Sequence, residues 1–141
     1  MAARPRSDHN QLARLRRQLP AEVLEDRLCS EIVDSALAVQ VALGPFYEAA
    51  LYRNAVVVEL RRRGVRCHKN VPLSVTFRGE VVGTYEADVV VEEQVLLKIS
   101  ADVELSARLK DQLLRGIGAT GLRLGLLLGF GGAELRFSRI L

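Results

Sequence analysis

Residues 80–100 read EVVGTYEADVVVEEQVLLKIS. Two unbroken apolar runs, Val89-Val90-Val91 and Val95-Leu96-Leu97, stand on either side of the acidic pair Glu92-Glu93. β-Branched and aliphatic runs of this length, divided by a polar turn, predict strands over 80–91 and 94–101. Their continuity predicts central strands covered on both faces, because a half-solvated strand would alternate. Upstream, 71–77 predicts a further strand, with Arg78-Gly79 as the turn. Downstream, helical spacing resumes over 104–117, where Leu105, Leu109, Leu113 and Leu114 are apolar. Gly118 to Gly121 ends that helix; 122–128 is a strongly apolar strand, 129–132 a loop and 134–140 a last strand.

Before the first strand the period is helical. Leu24, Leu28, Ile32, Ala36, Val39 and Leu43 recur at steps of three and four, which predicts a helix opened by Pro20 and running to about 43. Gly44-Pro45 breaks it, and Pro45 suits the first turn of a second helix. That helix is expected to reach Arg63 and stop at Gly64, a natural left-handed C-terminal residue. Arg61, Arg62 and Arg63 fall in its last turn, where the helix dipole favours cations. The element order is α-α-β-β-β-α-β-β, an α/β (α+β) domain with a mixed central sheet flanked by helices. The domain is read as 20–141, preceded by an Arg-rich arm over 1–19.

The chain has 141 residues, with 20 basic and 17 acidic side chains and a net charge of +3. Arg4, Arg6, Arg14, Arg16 and Arg17 stand against Asp8 in the first 20 residues, so the basic excess belongs to the arm. Such an arm is a candidate contact to DNA or RNA phosphates, which need no base reading. The same charge serves docking on a neighbouring subunit. No apolar run approaches the roughly 20 residues that span a bilayer, so no membrane partner is expected. Met1 to Pro20 lacks the apolar core of a secretory signal, which points to a cytoplasmic protein. Cys29 and Cys67 are then reduced thiols. With His9 and His68 the only histidines, no zinc site is expected. Cys67-His68 is expected to be exposed in a helix-to-strand loop. Gly129-Phe130-Gly131-Gly132 leads into a strand and lacks the Lys-Ser/Thr of a phosphate loop. The apolar stretch 122–130 and the sheet edge at 134–141 are expected to support self-association.

Several local motifs go further. Leu43-Gly44-Pro45, Tyr52-Arg53-Asn54-Ala55, Glu59-Leu60-Arg61-Arg62-Arg63-Gly64, Val82-Gly83-Thr84-Tyr85-Glu86-Ala87-Asp88 and Ala119-Thr120-Gly121-Leu122-Arg123-Leu124-Gly125 resemble the small bacterial GxxExxY proteins. The element order resembles the core of the PD-(D/E)XK nuclease superfamily. The resemblance implies a nuclease-like site, in which an acid on the second helix, an Asp on a strand and a Glu-x-Lys on the next strand converge. The carboxylates would hold Mg²⁺ for phosphodiester hydrolysis. Tyr52 matches the Tyr and Phe46 the Gly of GxxExxY, which puts Ala49 at the Glu. Glu48 is one residue away, about 100° round a helix. Asp88 matches the strand Asp and Gln112 matches on the following helix, while Gln40 stands where relatives often have His. The Glu-x-Lys position reads Lys98-Ile99-Ser100, so Lys98 replaces the Glu and Ser100 the Lys.

Of the chemical positions only Asp88 is retained. A lone carboxylate beside an ammonium does not concentrate Mg²⁺. The resemblance therefore implies a catalytically inactive nuclease fold without a cofactor. Such a protein would serve as a homo-oligomeric structural or interaction module, its arm on nucleic acid or on a neighbouring subunit. Lys98 is expected to neutralise Asp88 in a partly buried pair, whose breaking costs roughly 3–5 kcal/mol. Ser100 has no His to activate it as a nucleophile. The alternative is a divergent Mg²⁺-dependent nuclease using Asp88, Glu86 on the same strand face at period two, and Glu48.

Overall fold

The computed structural model describes residues 21–140. Its elements follow the expected order: α1 (Ala21–Leu43), α2 (Ala49–Arg62), β1 (Cys67–Phe77), β2 (Glu80–Val91), β3 (Val95–Ser100), α3 (Ala107–Thr120), β4 (Leu124–Gly129) and β5 (Arg136–Ile140). The strands form one mixed sheet in the order β1-β2-β3-β4-β5. All neighbours are antiparallel except β3 and β4, the parallel pair that α3 connects. Among the described residues no helix is long and apolar enough to cross a membrane.

One face of the sheet packs Val89, Val91, Leu97, Leu126 and Leu128 against Ile32, Val39, Val56 and Leu60 of α1 and α2. The other packs Ala87, Val90, Leu96 and Leu127 against Leu113 of α3. β3 and β4 are dry on both faces, which is why they read as unbroken apolar runs. This corrects one expectation. Leu124, Leu126, Leu127, Leu128 and Phe130 are buried within a single chain, so 124–130 fills the core and offers no surface for self-association.

Local chemistry sets the boundaries. α2 begins at Ala49 rather than at Pro45, because Gly44 and Phe46 take positive φ, 68° and 84°, and interrupt the helical path. At its far end Gly64 N–H donates to Arg61 O at 3.0 Å and Val65 N–H to Leu60 O at 2.9 Å, the paired bonds of a Schellman motif. Only glycine takes the φ of 79° there at no cost. α3 begins at Ala107 rather than 104, since Ser106 Oγ accepts from Leu109 N–H at 3.3 Å and caps it. β1 begins at Cys67 rather than 71. Cys67 is thus buried in a strand and not exposed in a loop. Burial pushes its thiol up, against the opposing pull of Arg61.

The β1–β2 hairpin turns over midway. Val89 and Val91 pack under α1 and α2, whereas Ala87 packs on the α3 side. A regular strand would keep all three on one face. The alternation breaks at Asp88, opposite Asn70, where the register skips a pair between Lys69–Val89 and Val71–Ala87. Asn70 has φ 55°, a left-handed residue inside a strand. The period-two argument that put Glu86 and Asp88 on one face therefore fails across this position.

The turn between β2 and β3 is also left-handed, with Glu92 at φ 52° and Glu93 at φ 56°. Arg66 fixes Glu92: its backbone N–H and its Nε donate to the two carboxylate oxygens at 3.1 and 3.2 Å. Glu93 is exposed and has no such hold among the described residues. A non-glycine residue in this region costs about 1–2 kcal/mol. Glu93→Gly is therefore expected to raise the unfolding free energy by about 1 kcal/mol, seen as a higher Tm in scanning calorimetry. An unchanged or lower Tm would show the turn to be unstrained.

Candidate functional site

β2 and β3 pair only over Val89–Val91 and Val95–Leu97, and then part. At this fork the carboxylate of Asp88 takes the place of a strand carbonyl: its Oδ2 accepts the Ile99 N–H at 2.8 Å. Lys98 Nζ stands 3.8 Å from the same oxygen, with the two side chains 24% and 22% exposed. Tyr85, on the α3 side, completes the group. Burial first, and the negative charge of Asp88 second, raise its phenol above the ordinary 10.0. Its OH donates to Gln112 O at 3.1 Å, fixing α3 over the fork. The helix comes this close because Gly116 has no side chain; a Cβ there would stand 2.6 Å from Leu96 and 2.7 Å from Tyr85.

The other predicted positions are more dispersed. Ser100 is buried at the end of β3, and its Oγ accepts from Asp102 N–H at 3.0 Å. Ala49 opens α2, which packs on the opposite side of the sheet from α3. Glu48 is the exposed N-cap of that helix, and its side chain makes no capping bond. Glu86 is exposed on β2 opposite Pro72. Among the described residues no three of His, Cys, Asp and Glu come together to hold a metal. Asp88, Glu86 and Glu48 are thus not gathered as the alternative site requires. The arm's Arg4, Arg6, Arg14, Arg16 and Arg17 lie outside the described residues.

Mg²⁺ takes near-octahedral oxygen ligands, carboxylates among them. The donor set at the fork does not fit it: the single carboxylate already accepts a backbone N–H and faces an ammonium. What this arrangement does chemically is satisfy a buried strand donor and cancel a charge.

Two motif residues anchor loops near the ends of β3 and β4. Tyr52 is fully buried and stacked on Phe130, with ring centroids 4.6 Å apart. Its OH donates to Gly44 O and accepts from Tyr47 N–H. Gln40 Nε2 donates to Gly132 O at 2.7 Å. Sequence reading gave Tyr85 no role at the site. A tyrosine at 85 looks like any half-buried strand residue until α3 is placed above it.

A family model, that of the PD-(D/E)XK nuclease superfamily, matches residues 26–140. No curated protein and no solved structure matches the chain.

The geometry revises the energetics. An ion pair at 3.8 Å with both ends partly solvated is worth up to about 1 kcal/mol, less than a fully buried bridge. Leaving Ile99 N–H without an acceptor costs about 1–3 kcal/mol. Asp88→Ala is therefore expected to destabilise the fold by about 2 kcal/mol and Lys98→Met by under about 1 kcal/mol, measured by urea unfolding. Equal losses would return the ion pair as the dominant interaction. For Tyr85 the folded value is raised, so the neutral phenol favours the fold. That contribution is intact below pH 10.0 and is lost as pH rises through the folded value. Ultraviolet titration of the three tyrosines is expected to show a late-titrating phenol that is missing in Tyr85→Phe.

Proposed function

The chain belongs to the PD-(D/E)XK nuclease superfamily, and on that premise we propose that it is a member of the GxxExxY type without hydrolytic activity, working as a self-associating structural or interaction module. The single observation that carries this reading is the Asp88–Lys98 pair. A metal-dependent nuclease needs a cluster of carboxylates whose negative charge a divalent ion neutralises. Here an ammonium from the next strand stands at the position of the second carboxylate, a change of about two charge units. The one retained acid is engaged by the sheet itself. No step of hydrolysis is therefore assigned to these residues.

Two further observations support the GxxExxY reading. Tyr52, at the motif's Tyr, is a fully buried anchor. Phe46, at the motif's Gly, has φ 84° and is 95% exposed, a backbone state that glycine adopts without cost. The arm over 1–19 is the candidate contact to nucleic acid or to a neighbouring subunit, on the strength of its five arginines against one acid.

The test is a calorimetric titration of the full chain with Mg²⁺ or Mn²⁺, beside a cleavage assay on DNA and RNA. The expected outcome is no saturable heat, with substrates as intact as they are with Asp88→Ala. Saturable metal binding, or cleavage that Asp88→Ala abolishes, would overturn the proposal in favour of a divergent nuclease.

A further inference from the structure

Self-association needs a surface, and the buried stretch 124–130 does not supply it. Exposed apolar side chains recur instead along the end of α1, the link and the start of α2. Leu37 and Val41 lie one turn apart on α1, on the side away from the buried Leu28, Ile32, Ala36 and Val39. Val41 is 85% exposed. Phe46 and Tyr47 in the link and Leu51 in the first turn of α2 are exposed as well. Two carboxylates stand on the same segments: Asp34, on the same outward side of α1, and Glu48 at the start of α2. Both are exposed, and neither has an ion-pair partner among the described residues.

The chain carries a segment of matching chemistry. Leu12, Leu15 and Leu19 recur at steps of three and four, with Arg14, Arg16 and Arg17 between them. Coiled as a helix, such a segment has one apolar stripe and a basic flank and back. The stripe as a whole does not reach the Leu37–Val41 face of its own subunit, because Leu15 and Leu19 fall short of it. Leu37 and Val41 lie about 24 and 30 Å along the helix from Ala21. Fully extended, Leu19, Leu15 and Leu12 reach only about 7, 21 and 32 Å from Ala21. The full stripe therefore cannot lie on Leu37 and Val41 of the same chain.

We propose that residues 12–19 of one copy, whose leucines recur at helical spacing among arginines, dock on the Leu37–Val41 face of α1 of a second copy. The arginines among those leucines complement the charge of the exposed Asp34 on that face. The inference rests on the self-association proposed above and names the surface that produces it.

Size-exclusion chromatography with light scattering tests it on full-length variants. The unmodified chain is expected to run as a multiple of 15.6 kDa. Val41→Glu, a change at an exposed position, and the double variant Leu12→Glu/Leu15→Glu are each expected to reduce it to one chain. Leu15→Cys combined with Val41→Cys is expected to give disulfide-linked chains under oxidation, because the native thiols are buried. An oligomer whose mass survives both glutamate variants overturns the docking surface and leaves self-association standing. A full-length monomer overturns both. A disulfide between the two introduced thiols that stays within single chains would show that the arm folds back on its own subunit, and so overturn the exchange.

Discussion

The sheet depends on one side-chain hydrogen bond at the point where β2 leaves β3. β2 must leave β3 so that the hairpin can turn over onto the α3 side, yet β3 stays buried between its neighbours. Parting two strands inside a core leaves a donor without water and without a partner, at about 1–3 kcal/mol. The carboxylate of Asp88 meets that donor at Ile99. The left-handed Asn70 opposite, the Tyr85 hydroxyl on α3 and the missing side chain at Gly116 all serve the same fork. The position at which the superfamily resemblance puts a metal ligand is, in this chain, part of the sheet's own bonding.

That change separates fold from chemistry. A site that concentrates negative charge destabilises the apoprotein by like-charge repulsion and depends on its ion. With Lys98 beside Asp88 the local charge cancels. A superfamily core can persist on such terms because function resides in the site and not in the architecture that presents it.

The element order was legible because periods and caps are local properties. The run at 89–91, the polar break at Glu92-Glu93 and the glycine at 64 each act within a few residues. What stayed hidden was non-local or conformational. Phe46, Glu92 and Glu93 sit at positive φ, and nothing in those residue types announces it, while Asn70, of a type that tolerates this state, is hidden by its strand context. The run Leu126-Leu127-Leu128 could equally have been core or interface, since both demand apolar residues. The approach of Lys98 to Asp88 followed from strand pairing. The Ile99 bond did not, because it depends on where β2 and β3 stop pairing.

The topology also orders the events by which the chain acquires its structure. β1, β2 and β3 are consecutive and antiparallel, so their contacts close over short loops. Hairpins of this kind form in about 1–10 μs. The parallel partner of β3 lies beyond the whole of α3 and pays a larger closure entropy. Until β4 arrives, Val95, Leu97 and Ile99 present a bare, apolar strand edge to solvent. The interval between making β3 and covering it is when this chain is most open to wrong pairings. Pulse-labelled hydrogen exchange that found β3–β4 protected ahead of β1–β2 would contradict this order.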